Sequence, residues 1–287
     1  MANPGKKVPH GAEGEFFVDR TCIDCETCGQ LAPGIFTADG EFFCVRRQPV
    51  NAGEVRMATR ALLACPVGAI GTLNPNQAKI VMRDFPLPIE EPVYYCGFNS
   101  RQSFGANSYF IRHHDGNWLV DSPKFLPYLV RRFAELGGIR YIFLTHQDDV
   151  ADAARYAQEF GAIRIIHRAD SRAQRNAEMV IDGTDPVRVN AGFKIIPTPG
   201  HTRGHCVLLF GDRFLFSGDH LWWEPETGTL GASRSVCWYS WSEQTASMDR
   251  LLDEKFEWVL PGHGDRGRLR PEVMRAKLAS LIAQMRV

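Results

Sequence analysis

Four potential metal ligands in this 287-residue chain each follow directly after an apolar run. His146 follows YIFLT, His201 follows KIIPTPG, Asp219 follows FLFSG and His263 follows WVLPG. Each run is typical of a buried strand, so each side chain should lie just past the C-terminal end of its strand. A single His or Asp in that place is usually a cap or a turn former. Because loops at that edge of a sheet converge, four repeats of the placement predict one shared metal site.

Three cysteines lie within seven residues in TCIDCETC, namely Cys22, Cys25 and Cys28. This short spacing lets three thiolates point from one loop onto a compact iron–sulfur cube, whose fourth ligand must come from elsewhere. Cys65 is the candidate, because it ends a helix-like run and Pro66 stops that helix. In two-cluster ferredoxins the first run continues to a further Cys-Pro that serves the other cluster. Ala32-Pro33 stands there instead, which favours a single [4Fe-4S] cluster.

Two alternatives concern the cysteine segment. Four cysteines can also hold a structural zinc, although zinc sites more often use two separated Cys-x-x-Cys pairs. The cluster could also serve only as a staple for a domain that is too small to have a stable core of its own. The other cysteines are expected to be small buried apolar residues, and these are Cys44, Cys96, Cys206 and Cys237.

Charge and hydropathy argue against nucleic-acid binding and a membrane location. The chain has 33 basic and 33 acidic residues, so there is no bulk field that would attract nucleic acid or an anionic membrane. No apolar run is long enough to span a bilayer, and the start lacks the apolar core of a secretory signal, which predicts a cytoplasmic protein. The segment DFPLPIEEP (84–92) has three prolines and predicts an extended linker. It would separate an N-terminal domain (1–83) from a C-terminal domain (93–287).

Both domains resemble known families. Over roughly residues 14–75, the cysteine pattern resembles the single-cluster bacterial ferredoxins, which implies a small α+β domain. Residues 93–287 alternate between strand and helix patterns, and LTH…TPGHTRGH…SGDH…PGHGD resembles the metallo-β-lactamase fold. That resemblance implies an αββα sandwich with its metal site at one rim of the two sheets.

The metal loop of that family reads His-x-His-x-Asp-His, followed later by a histidine, a bridging aspartate and a last histidine. Carried over by position, the implied ligands are His146, Asp148 (in the second histidine's place), His201, Asp219 and His263. Val150 and Ala151 stand where the family has its Asp-His pair, unless a shifted register brings in Asp149 or Asp152. The sequence therefore predicts one ion, or two, of iron, zinc or manganese. The carboxylate of Asp148 favours iron or manganese over zinc.

Three functions are compatible with these residues. The first is a metal-dependent hydrolase of a small-molecule substrate with redox-linked character, in which Asp219 and His220 take part in catalysis. The second is a redox enzyme that passes electrons from the cluster to a mononuclear iron and takes them from an external donor. The third is a non-catalytic electron-transfer protein with a degenerate metal site. The sequence does not indicate an oligomeric state.

Overall fold

The structure is a computed structural model that describes residues 2–190 and 192–286. Its N-terminal elements surround a small core that includes Phe16, Ile35 and Ala61. These elements are β1 (Phe16–Val18), α1 (Thr27–Leu31), β2 (Phe36–Asp39), β3 (Phe42–Val45), α2 (Ala52–Ala64), β4 (Ile70–Thr72) and α3 (Asn76–Val81). The side chain of Asn51 caps the start of α2 by accepting from the Glu54 amide at 3.0 Å. Cys65 caps the C-terminal end of this helix, where the sequence predicts that it stops.

The rest of the chain forms two larger sheets with helices outside them. In chain order its elements are β5 (Leu87–Glu90), β6 (Val93–Tyr95), β7 (Tyr109–Ile111), β8 (Trp118–Val120), α4 (Pro127–Glu135), β9 (Tyr141–Phe143), α5 (Ala153–Phe160), β10 (Ile163–His167), β11 (Met179–Ile181), β12 (Val187–Asn190), β13 (Phe193–Pro197), β14 (Cys206–Phe210), β15 (Phe214–Gly218), β16 (Trp222–Glu224), β17 (Thr229–Gly231), α6 (Trp241–Leu251), β18 (Trp258–Pro261), β19 (Gly267–Arg268) and α7 (Pro271–Met285). The first sheet has the order β11-β10-β9-β8-β7-β6-β5, and the second has the order β12-β13-β14-β15-β18-β19.

Alternation along the strands of the second sheet explains how the two sheets stack. Phe214 and Phe216 face the first sheet and share its core, and the ring of Phe216 lies 5.3 Å from that of Tyr109. Leu215 points to the opposite face, where it packs against residues of α6 and α7. Helices α4 and α5 cover the outer face of the first sheet through Leu129, Phe133, Ala153 and Tyr156. The αββα sandwich predicted from the resemblance is confirmed.

Strand direction places the candidate ligands at one edge. Strand β14 lies antiparallel between β13 and β15, and β18 runs parallel to β15. Strands β13, β15 and β18 therefore point the same way, and the loops after them leave from a common edge of the second sheet. His201, Asp219 and His263 stand in those loops.

The segment 84–92, predicted to be an extended linker, contains Leu87–Glu90, which forms the edge strand β5 of the first sheet. Glu90 further accepts a hydrogen bond from Trp258 Nε1 at 2.8 Å, which ties this edge to the second sheet. Pro88 fits because an edge strand leaves one side of its backbone unpaired. The domain boundaries themselves remain a prediction.

The tryptophan-rich stretch after Asp219 contains the hairpin β16–β17. Trp223 and Trp241 pack against the core beneath α6 and α7, whereas Trp238 is 66% exposed. Within the described residues, no helix has the length and apolar character that crossing a membrane requires.

Candidate metal centres

The first centre consists of two histidines and two aspartates. The Nε2 atoms of His146 and His201 each lie 3.6 Å from Oδ2 of Asp219. Oδ2 of Asp148 lies 3.9 Å from both of these nitrogen atoms. Four of the predicted ligands are thus brought around one point, and Asp148 forms the solvent side with 47% of its side chain exposed.

A second group of ligands shares Asp219 with the first. Ligand atoms of Asp149, Asp219 and His263 lie within 4.8 Å of one another, and His263 Nε2 is 3.9 Å from Asp219 Oδ2. Asp152, the other candidate for a shifted register, instead accepts a hydrogen bond from the Phe125 amide at 2.8 Å. The geometry therefore places Asp149, and not Asp152, beside the second group.

The polar atoms at this point fit metal ions. Across residues 2–190 and 192–286, the buried atoms without a hydrogen-bond partner include four that face the centre, and these are His146 Nε2, His201 Nε2, Asp149 Oδ2 and Asp219 Oδ1. Leaving such atoms unpaired in a protein interior is costly, and cations would satisfy all of them. Burial lowers the pKa of His146 to about 3. The imidazole is therefore neutral at neutral pH, which is the form that binds metal.

Burial followed by the charge of Asp219 raises the pKa of Asp149 well above its ordinary range. Burial likewise raises the pKa of Asp148. Without a metal ion, these crowded carboxylates resist ionisation, whereas a bound cation would stabilise them as anions. Metal binding should therefore release protons. A set of three carboxylates and three imidazoles suits iron, manganese or zinc by ligand type.

Asp121 orients His146 from behind and was not identified from the sequence. Its carboxylate accepts from the Thr145 amide at 2.9 Å and from the Thr145 hydroxyl, which lies 2.9 Å from His146 Nδ1. Burial raises the pKa of Asp121 to about 8. Such outer contacts fix the ring orientation of a metal-binding histidine. Asp121 directly follows β8, so the rule that found the ligands could also have found it.

Asp170 joins two of the ligand loops. Its carboxylate accepts from the Gln147 amide at 3.1 Å, the Thr202 hydroxyl at 2.5 Å and the Gly204 amide at 2.9 Å. Gln147 neighbours Asp148, and Thr202 neighbours His201. A Cβ on Gly204 would lie 2.6 Å from the carboxyl carbon of Asp170, so only glycine allows this approach. Asp170 therefore holds both loops in position.

His205 and His220 form a buried stack beside the centre. Their rings lie 4.1 Å apart, and His205 is 5.3 Å from the ring of His146. His205 Nδ1 contacts the Thr198 hydroxyl at 2.9 Å. His220 is fully buried in this structure, so the ring does not lie where a substrate could reach it. Its role in catalysis stays a prediction, as does that of Asp219, whose side chain is 12% exposed.

The four predicted cluster ligands also come together. Cys22, Cys25, Cys28 and Cys65 line one cavity with apolar residues such as Val18 and Ile70. The Ala69 amide donates to Cys65 Sγ at 3.3 Å. Burial raises the pKa of Cys25 to about 11 and that of Cys28 well above its usual value. Four crowded thiols in an apolar cavity, with an amide donor at one of the sulfur atoms, fit an iron–sulfur cluster. These four residues would hold it.

Family models match both regions. Residues 18–72 match the 4Fe-4S single cluster domain of Ferredoxin I, and residues 102–263 match the metallo-beta-lactamase superfamily. The second match covers more than half of the chain. The chain belongs to the metallo-beta-lactamase superfamily. It combines that domain with a ferredoxin-type iron–sulfur domain, as the sequence predicts.

Curated relatives within the superfamily are matched only in part. A hydroxyacylglutathione hydrolase of Citrobacter koseri is 34% identical over 82 residues, which are 28% of this chain and 32% of that protein. The beta-lactamase-like protein 2 homolog of Drosophila melanogaster is 35% identical over 26% of this chain and 23% of its own length. The chain thus spans about a third or less of these relatives.

Solved structures support the superfamily fold. The DIM-1 metallo-beta-lactamase is 16% identical with a TM-score of 0.52, covering 68% of this chain and 95% of that one. A metallo-beta-lactamase family protein from Thermus thermophilus is 17% identical with a TM-score of 0.50, covering 69% and 80% of the two chains. At these identities the likeness concerns the fold alone.

Proposed function

We propose that the chain is a metal-dependent hydrolase of small ester or thioester substrates, with redox-linked character. One observation carries this proposal. Six potential metal-ligand residues come together, and several of their buried nitrogen and oxygen atoms have no hydrogen-bond partner. His146, Asp148, His201 and Asp219 would hold one ion, and Asp149 and His263 would hold a second with Asp219 shared. Ions bound there would activate a water molecule and polarise a carbonyl oxygen. The partial match to hydroxyacylglutathione hydrolases supports a thioester as the substrate class.

The protein residues contribute position and access. Asp148 and His263 are the exposed members of the ligand set, with 47% and 31% of their side chains accessible, so substrate would approach from their side. A neighbouring cavity of about 510 Å³ is lined by Arg203 and His205, from the same loop as His201. Its volume is within the range of small-molecule sites. Asp121 and Asp170 hold the ligand loops from behind.

Thioester hydrolysis by metal-loaded protein tests this proposal. Hydroxyacylglutathione would be the probe, and the decay of its thioester absorbance would be followed for wild type, His201→Ala and His114→Ala. His201→Ala should lose the activity together with metal. His114→Ala should retain it, because that side chain is 74% exposed at the β7–β8 turn. Wild type that carries metal but cleaves neither this thioester nor a panel of esters and lactones would disprove the hydrolase.

A redox enzyme is the second candidate, and the composition of the metal centre favours it. Three of the six ligands are carboxylates, which shifts preference toward iron or manganese. The same chain carries the cysteine cavity, and a backbone segment beside the metal centre lies against it. An external donor would supply electrons to the cluster. Iron in the sandwich domain would support this candidate, and zinc would count against it because zinc has no redox chemistry.

A further inference from the structure

The segment from Asn99 to Asn107 lies between the cysteine cavity and the metal centre. Its start is fixed to the N-terminal domain, because the Asn99 amide donates to the carbonyl of Ala64 at 3.2 Å. The buried Asn99 side chain donates to Thr27 Oγ1 at 3.2 Å and to the Gly105 carbonyl at 2.6 Å. Its end is fixed to the sandwich, because the Asn107 amide donates to the carbonyl of Gly262 at 2.7 Å. The segment is therefore tied to both sites.

Gly105 lies directly against a cluster ligand. A Cβ on Gly105 would lie 2.9 Å from Cys25 Cβ and 3.1 Å from Cys25 Sγ. The residue has φ +92°, a conformation that side-chain-bearing residues rarely adopt. Both facts require glycine here, and its absent side chain lets the backbone approach the sulfur.

Phe104, the preceding residue, lies at the other site. Its ring centroid is 6.3 Å from that of His263, a ligand of the second metal group. Phe104 has φ +49° and is 56% exposed, so a bulky apolar residue is kept in a costly backbone conformation on the surface. Strain of this kind is typical of functional positions. Two consecutive residues thus contact one ligand of each site.

We propose that Phe104 and Gly105 form the electron-transfer contact between the cluster bound by Cys25 and a redox-active metal bound by His263. This inference rests on the redox candidate above. An external one-electron donor of the ferredoxin or flavoprotein class gives one electron to the cluster. That electron passes along the contact and reduces one ferric ion to ferrous, with no bond made or broken. Tunnelling falls steeply with distance, so an aromatic ring and a close backbone approach favour this route.

The test uses the full chain loaded with iron in both sites under anaerobic conditions. A flash of photoreduced deazaflavin would reduce the cluster, and its re-oxidation would be followed by absorbance and by rapid-freeze EPR of the sandwich iron. Phe104→Leu should slow re-oxidation several-fold with unchanged iron content and cluster potential. Phe104→Tyr should restore the wild-type rate. Trp238→Leu is the matched control. Trp238 is also exposed and its ring lies 6.3 Å from that of His201, but only Phe104 is followed by a residue, Gly105, that lies against Cys25.

The possible outcomes distinguish a failure of the redox candidate from a failure of the Phe104–Gly105 contact. A wild-type cluster that stays reduced beside ferric iron, or a sandwich domain that accepts only zinc, would overturn the redox candidate and this inference with it. Re-oxidation in wild type with an equal rate in Phe104→Leu would overturn the contact alone. Equal slowing by Trp238→Leu would also overturn the contact, because the effect would then come from general disturbance of the metal centre.

Discussion

The cysteine cavity and the sandwich metal centre draw their ligands from very different lengths of chain. Three of the four cysteines come from the seven residues 22–28, and the fourth ends the adjacent helix α2. The six ligands of the sandwich come from four loops spread over residues 146–263. The first site depends on a local turn and one helix. The second exists only when the strands of both sheets are stacked and correctly directed.

The two sites also differ in chemistry and access. The cysteines offer soft sulfur ligands in an apolar cavity, whereas the sandwich offers oxygen and nitrogen ligands with Asp148 and His263 reached by solvent. An enclosed sulfur site suits electron storage, and a solvent-accessible oxygen and nitrogen site suits substrate chemistry. The difference teaches that one chain can keep two metal-binding environments separate by ligand type.

The largest expected effect comes from Cys65→Ser, which tests whether the cysteine site is independent of the sandwich. Loss of this ligand should remove about four irons per chain, measured by metal analysis. If the cluster is only a staple, circular dichroism and proteolysis should show the first domain unfolded while thioester hydrolysis in the sandwich is retained. Cys237→Ser is the control, since Cys237 contacts the Gly200 carbonyl away from the cavity.

Two outcomes would contradict these expectations. Full iron content in Cys65→Ser would remove this residue from the ligand set. Loss of hydrolysis with both domains folded would exclude the staple and would show that the two sites depend on each other.

Within the sandwich, Asp149→Asn compared with Asp152→Asn tests which aspartate replaces the family's missing ligand pair. Asp149→Asn should remove one of two bound ions, because a charged ligand of the second group is lost. Asp152→Asn should keep both, since an amide oxygen can still accept from the Phe125 amide. Metal content by mass spectrometry measures both variants. The reverse pattern would mean that the loop changes register when metal binds.

Local patterns carried the sequence predictions furthest. The strands before His146, His201, Asp219 and His263 predicted the convergence of the ligands. The family resemblances carried by these motifs and by the Cys-x2-Cys-x2-Cys segment implied the sandwich and the ferredoxin domain. The choice between Asp149 and Asp152 could not be made, because it depends on how tightly the loop turns after β9. Asp170 was missed because its partner Thr202 is distant in sequence, whereas Asp121 was missed although it directly follows strand β8 as the ligands follow theirs. Strand β5 was missed because its prolines suit an edge strand as well as a linker.

A smaller effect, on metal affinity, is expected from a substitution at Asp170. This residue joins two ligand loops of the sandwich, and the cysteine site has no comparable pair of loops. Asp170→Asn would place an amide donor against the donors of Thr202 and Gly204. The loops should loosen, and metal affinity should fall about 10–100-fold, as is typical of residues behind the ligands. Competition with a chelator measures this affinity, and cluster iron is the internal control. Unchanged affinity would show that the ligand loops hold themselves in place.

The smallest effect is expected at Asp84, which ties the cysteine-bearing helix to the segment before β5. Its carboxylate is 6% exposed and binds Arg56 and Arg60 of α2, with both Nε atoms at 2.7 Å. The hydrogen bond from Arg56 holds the pKa of Asp84 below its ordinary value of 3.8, even though burial acts in the opposite direction. Asp84→Asn should lower the free energy of unfolding by about 1 kcal/mol at neutral pH.

This contribution has a defined pH dependence. A carboxylate with a depressed pKa in the folded state stabilises the protein above its unfolded-state pKa and loses that contribution as the pH falls through the folded-state value. Urea unfolding of the N-terminal domain should therefore separate wild type from Asp84→Asn at neutral pH and bring them together in acid, as the pH falls below 3.8 and through the folded-state pKa. A stability difference between wild type and Asp84→Asn that stays constant with pH would mean that packing, and not charge, stabilises this contact. The attachment of the cysteine helix would then depend on packing, as the sandwich does.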